Sequence, residues 1–159
     1  MKPRALKFLF NEYDRLDELA EFQVSLVRQA IEAAGKAYAP YSGYHVGAAV
    51  QLRNGEIITG NNQENAAYPS GLCAERVAVF YAGAQFPDVP ATSLAIAAMQ
   101  NGSIQELPVP PCGACRQVLC EMELQAGSPM ELLLYGTKKI QVIHRVSDLL
   151  PLPFTLKTG

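Results

Sequence analysis

Apolar residues along this chain follow two rhythms, and each predicts its own kind of element. Over residues 17–38, "DELAEFQVSLVRQAIEAAGKAY", apolar side chains stand at 19, 22, 26, 27, 30, 31, 34 and 38. That three-to-four spacing predicts an amphipathic helix. Pro40 disfavours helical backbone at Ala39 and predicts where the helix stops. The runs "HVGAAVQL" (45–52) and "EIITG" (56–60) flank Asn54-Gly55, a pair that predicts a β-hairpin. Helical patterns return at 73–84, behind the Pro69-Ser70-Gly71 turn, and at 113–124. Short apolar runs at 93–99 ("SLAIAAM"), 130–136 ("MELLLYG") and 138–144 ("KKIQVIH") predict strands, and residues 4–10 a further edge strand. Alternating strands and helices predict an α/β fold of three layers (α/β/α). A mixed sheet of about five strands would carry helices on both faces.

Composition narrows the function. The 159 residues favour one domain over 1–159, with residues 1–15 as a possible N-terminal extension. A 49% apolar and 18% charged content is globular rather than disordered. The net charge is −2, with no cluster of Lys and Arg, which argues against a nucleic-acid partner. A small neutral or weakly charged ligand fits better. The apolar patch from Leu6 to Phe10 is cut by Asn11 and acids too soon for a signal peptide or a membrane span. The expected location is the cytoplasm, with no membrane partner. In that reducing compartment the four cysteines read as metal ligands or redox groups rather than disulfides.

Cys112-x-x-Cys115 follows Pro111 and opens a helical pattern. Both thiols then share one face of a first helical turn, where main-chain amides favour thiolates. The pair alone reads equally as half a zinc site or as a thioredoxin-like redox couple. Cys73 also stands at a predicted helix start, and two such starts on one sheet edge can aim three sulfurs at one point. Its alternative is a small buried apolar residue. Cys120 lies ~140° around the helix from Cys115 and faces elsewhere. His45 and His144 lack ligand spacing to the cysteines. Three ligands leave one position for water, as in a catalytic zinc site. Arg76, three residues after Cys73, can donate to the sulfurs and offset the net −1 of zinc with three thiolates; otherwise it is a surface ion pair. Glu75 can face the open position as a proton carrier, or simply compensate the helix dipole.

"CAER" followed by "PCGACRQVL" resembles the cytidine deaminase family, the small homotetrameric-type zinc nucleoside deaminases. "AYAPYSGYHVGAAV", "NQENAAYPSGLCAER" and the terminal "LLPLPF" extend the resemblance over most of residues 24–154. It implies that Cys73, Cys112 and Cys115 bind zinc and that Glu75 moves protons during hydrolysis at C4 of a pyrimidine. Cytidine and 2′-deoxycytidine would become uridine and 2′-deoxyuridine, with release of ammonia, a step of pyrimidine salvage. It further implies Asn62 and Glu64 as the ribose-binding pair, the Ala74 main chain opposite the base carbonyl, and Tyr68 beside the pocket. Phe154 would reach a neighbouring subunit's pocket in a tetramer. Turn formation is the alternative for the asparagines, and packing on its own core for Phe154. This chain has Tyr44-His45 where the family often has Phe-Pro or Phe-Lys, and Leu152 where an aromatic is common. Tyr44 can still stack on a pyrimidine. Nucleotide and nucleic-acid deaminases typically carry His-Ala-Glu in place of Cys-Ala-Glu, and Glu64 would repel a phosphate; both favour a free nucleoside. Three other readings stand beside this one: a related aminopyrimidine deaminase such as one acting on blasticidin S, a thioredoxin-like redox protein, and a non-catalytic zinc-binding domain.

Overall fold

The two rhythms become alternating elements: β1 (Asn11–Tyr13), α1 (Glu21–Ala34), β2 (Tyr44–Leu52), β3 (Ile57–Asn61), α2 (Ala74–Gln85), β4 (Ala91–Gln100), β5 (Ser103–Ile104), α3 (Gly113–Ala126), β6 (Glu131–Tyr135) and β7 (Ile140–Ile143). A computed structural model describes residues 1–156 of this chain; residues 157–159 of the expected domain lie outside the described residues. The strands form one sheet in the order β1-β7-β6-β4-β2-β3, with β5 alongside β4. Of these strands only β4 and β6 pair in parallel, through a crossover that contains α3; the other pairs are antiparallel. The mixed α/β sheet with helices on both faces is as expected.

Among the described residues the sheet has seven strands rather than five. The two extra strands, β1 and β5, span three and two residues, too few for alternation to register. No strand forms over residues 4–10. The edge strand begins at Asn11, where Asn11, Glu12 and Tyr13 pair with Val142, Gln141 and Ile140. The apolar run before it has no sheet face to cover: Leu6 and Leu9 are exposed, and the Phe8 and Phe10 rings lie 5.4 Å apart.

The helix expected over 17–38 is trimmed at both ends. Leu16–Glu18 forms a separate 3-10 turn. The Gln23 side chain then accepts from the Ala20 N–H to start α1. At the other end Tyr38 leaves the helix to join the strand side of the molecule. Its N–H donates to Asn62 O at 3.0 Å, and its carbonyl accepts from Glu64 N at 2.9 Å. That exit brings residues 41–44 to the end of β3.

Successive residues of a strand face opposite ways, so strands buried on both sides are apolar throughout. Ala48, Val50, Leu94, Ile96, Leu132 and Leu134 pack towards α2 and α3. Their neighbours Ala49, Ala95, Ala97 and Leu133 pack towards α1. Each fully buried leucine contributes about 1.5–3 kcal/mol. Small residues bring the helices close. A Cβ on Gly47 would stand 2.0 Å from Ala30 O, and one on Gly60 2.6 Å from Ala74 O and 2.4 Å from Ala78 N. Glycine at 60 therefore sets how near the start of α2 lies to the sheet.

Candidate active site

Both α2 and α3 begin on a cysteine. Cys73 is the N-cap of α2 and Cys112 that of α3, and neither makes a side-chain capping bond. Ser, Thr, Asp or Asn would ordinarily satisfy the free amides of a first turn; here those amides are left beside sulfur. The crossover topology sets the two starts together. Cys73 Sγ lies 3.7 Å from Cys112 Sγ, which lies 3.5 Å from Cys115 Sγ. All three sulfurs are within 4.8 Å of one another, and among the described residues no other His, Cys, Asp or Glu joins them. Cys120 is buried, as its angle on α3 requires. His144 sits near Asn11 and Glu131, and His45 on β2 opposite Met99.

The electrostatics of this cluster favour a cation. Cys73 is pulled down to about 5, chiefly by the Cys115 thiol donating to it, with Arg76 as a further donor against the cost of burial. Cys115 is pushed up by that same bond and by burial. Arg76 Nη2 lies 3.8 Å from Cys73 Sγ, and the bond to Cys73 raises the guanidinium's own pKa. Arg76 Nε is buried without a partner. Glu75 is 4% exposed, and burial raises its carboxyl above the ordinary range, with the nearby Cys73 charge adding to the rise. Three clustered sulfurs with an arginine beside them suit a borderline-soft divalent ion held by thiolates, as zinc is.

A cavity of about 340 Å³ opens on two of the sulfurs, Cys73 and Cys112. Tyr44, Asn62, Glu64, Cys73, Glu75 and Cys112 line it, together with Val109 and Pro110 from the approach to α3. Its polar wall is fixed. Asn62 Oδ1 accepts from Val46 N at 2.7 Å, and its Nδ2 donates to Tyr44 O at 2.9 Å. The amide keeps one N–H and one lone pair for a ligand. Glu64 accepts from Ser42 Oγ, from Tyr41 N at 2.9 Å and from Ser42 N at 3.2 Å. These bonds, the Ser42 hydroxyl foremost, hold its carboxyl below the usual range. Ala74 is fully buried at the first position of α2. An adjoining groove of about 530 Å³ shares Ser42, Asn62, Glu64 and Cys73 and adds Tyr68. Tyr68 is 76% exposed, its ring 6.2 Å from that of Tyr41.

Phe154 lines neither space. It is exposed, and its carbonyl accepts from Gln117 Nε2 at 2.8 Å. Sequence reasoning misses the part of Ser42, which braces Glu64 from within a segment that reads as a helix stop and a stretch of the resemblance but names no role for that serine. It also misses Val109 and Pro110, whose apolar stretch offers no periodic signal.

A sheet that brings three thiols from two helix starts beside a buried carboxylic acid describes a zinc-dependent hydrolase. Similarity to known proteins gives its kin. Residues 20–127 match the family model described as the cytidine and deoxycytidylate deaminase zinc-binding region, and the chain belongs to that family. The cytidine deaminase of Halalkalibacterium halodurans is 42% identical over 133 residues, covering 82% of this chain and 92% of that one. The cytidine deaminase of Mycobacterium tuberculosis is 40% identical over 128 residues, covering 80% and 85%. The crystal structure of cytidine deaminase from Burkholderia pseudomallei superposes with a TM-score of 0.71 at 36% identity, covering 86% of this chain and all of that one. Zinc is the cofactor of this family's binding region, and the redox and non-catalytic readings are not favoured. Among the described residues no helix is long and apolar enough to cross a membrane.

Proposed function

We propose that this protein hydrolyses cytidine and 2′-deoxycytidine to uridine and 2′-deoxyuridine, releasing ammonia, as a cytoplasmic enzyme of pyrimidine salvage. One observation carries this reading: three sulfurs lie within 4.8 Å of one another, and two of them, Cys73 and Cys112, line the same small cavity as the buried Glu75. Cys73, Cys112 and Cys115 hold the zinc, which when bound supplies the Lewis acidity that makes water a nucleophile near neutral pH. Arg76 offsets part of the thiolate charge. Glu75 takes a proton from the attacking water and delivers it to N3 of the ring. It then takes the proton of the new C4 hydroxyl and delivers it to the amino group, so that the C–N bond breaks and ammonia leaves as the C4 carbonyl forms. Its burial supports the part, because a carboxylate kept from water is a stronger base. The Ala74 main chain meets the base carbonyl, and the Tyr44 ring offers a face for the pyrimidine.

Asn62 and Glu64 bind the sugar hydroxyls as donor and acceptor. Their side chains are braced by β2 and by Ser42, so little freedom is lost on binding. The Glu64 charge disfavours a phosphate on the sugar, and free nucleoside is the substrate. The exposed Tyr68 and Phe154 suit a homo-oligomer, a tetramer by resemblance, in which Phe154 reaches a neighbour's pocket. Residues 1–159 act as one domain, with 1–15 an extension. The test is a panel of cytidine, 2′-deoxycytidine, cytosine, deoxycytidine monophosphate and blasticidin S, with metal analysis of the purified protein. Bound zinc with loss of ultraviolet absorbance on the two nucleosides is expected. Turnover of blasticidin S with negligible action on cytidine overturns the substrate assignment.

A further inference from the structure

The peptides that lead into the two N-cap cysteines are held in different ways. Leu72, before Cys73, exchanges both main-chain bonds with Gln63, at 2.9 and 3.0 Å. Cys112 follows Pro110-Pro111. Neither proline has an N–H, so this approach cannot be held by such a two-way bond. The Pro111 carbonyl is the group left to hold, and Arg116 holds it: Nε donates to Pro111 O at 2.9 Å. The Arg116 main-chain N–H also donates to Cys112 O at 2.9 Å. One residue therefore fixes the carbonyls on both sides of Cys112, whose side chain is the most exposed of the three metal-facing thiols.

The guanidinium is itself anchored. Nη1 donates to Leu149 O at 3.2 Å, at the end of the 3-10 turn Val146–Leu149. The other end of that turn is secured independently. Glu123 is 4% exposed, and its Oε2 accepts from Val146 N and from Met130 N, each at 2.9 Å. Arg116 thus braces the approach to Cys112 against a segment near the C-terminus that α3 holds in place. Its charge serves carbonyl oxygens rather than sulfur.

We propose that Arg116 is a positioning residue of the metal site, fixing the Pro111–Cys112 peptide and through it the direction of the Cys112 thiolate. The role rests on the reading that the three cysteines hold zinc. Without the brace Cys112 still ligates, but its carbonyl neighbours move and the ion leaves sooner. Lysine can reach one carbonyl at a time, whereas the arginine fork spans two.

The experiment follows zinc release from the loaded, full-length protein into excess chromogenic chelator, with cobalt-loaded samples for absorption spectra. Arg116→Gln is expected to release zinc about 10- to 100-fold faster than wild type, with a shifted thiolate-to-cobalt band, and Arg116→Lys to fall between. Gly47→Ala, which pushes a methyl group against Ala30 of α1 on the other face of the sheet, is expected to lower Tm while releasing zinc at the wild-type rate. If Arg116→Gln fails to fold, Arg116→Lys carries the same comparison. Release by the Arg116 variants within twofold of wild type overturns the proposal, as does equal acceleration by Gly47→Ala, which would mean general loosening. A wild-type protein that takes up no zinc overturns the metal reading itself, and that outcome is visible without any variant.

Discussion

The starts of α2 and α3 both present a cysteine to the same point, and they differ in the residues that come next. After Cys73 come Ala74, Glu75 and Arg76, and the two charged side chains turn towards the sulfurs and the cavity. After Cys112 come Gly113 and Ala114, and then a second sulfur. The first charge on that helix, Arg116, turns to main-chain oxygen. Burying a charge is costly without a partner. A site built around an ion gains by placing its proton carrier on one helix, beside a single sulfur, and drawing two of its three sulfurs from the other. Proton transfer should therefore depend on α2, and retention of the ion on both helices, α3 the more.

Removing a ligand should have the largest effect, because turnover needs the ion. Cys115→Ala should abolish both zinc binding and turnover, read by metal analysis and by the ultraviolet assay. Retained stoichiometric zinc would remove Cys115 from the site. Next in size is Glu75→Gln. It should keep zinc while kcat falls about 10²- to 10⁴-fold, the usual worth of a positioned acid–base group. A rate near wild type would move the proton carrier elsewhere.

A pair of glycine variants sharpens the comparison on the packing side. Gly60→Ala pushes a methyl group against Ala74 O and Ala78 N, and Gly47→Ala against Ala30 O. Each should cost about 1–3 kcal/mol in denaturant unfolding. Only Gly60→Ala, which displaces the start of α2, should also lower kcat. Equal kinetic damage from both would mean that the placement of α2 is not special.

The smallest effect concerns charge. The folded pKa of Glu75 is raised by burial from its ordinary 4.5. The protonated acid is thus favoured in the fold. Its contribution is fully present below pH 4.5 and is lost as pH rises through the raised value. In metal-free protein Glu75→Gln should therefore raise Tm by a few degrees at neutral pH and leave it nearly unchanged at pH 4. A drop in Tm at neutral pH would show that the ionised carboxylate is stabilised there by a partner strong enough to outweigh its burial.

The long periodic segments are legible in the amino-acid sequence: three helices, the hairpin and the buried strands all lie where the apolar pattern puts them. β1 and β5 are not, because a two- or three-residue edge is set by a partner strand rather than by its own pattern. α1 stops short of Tyr38 because main-chain bonds to Asn62 and Glu64 outcompete another helical turn. The convergence of Cys73 with Cys112 and Cys115 follows from their places at two helix starts, and the sheet order supplies the physical reason. Glu123 is invisible as a buried group. A carboxylate on a helix reads as a surface charge unless the two amides waiting for it, at Met130 and Val146, are seen.

Two helices that begin on sulfur have given up the oxygen caps that usually hold a first turn, a loss of about 0.5–2 kcal/mol for each. Both losses fall on the same sheet edge. Demetallated protein should open there first, with proteases cutting near residues 72–74 and 111–113 before they cut elsewhere in the sheet. The ion then guards the lifespan of the chain as well as its chemistry, and a cell short of zinc would lose the protein and not merely its activity.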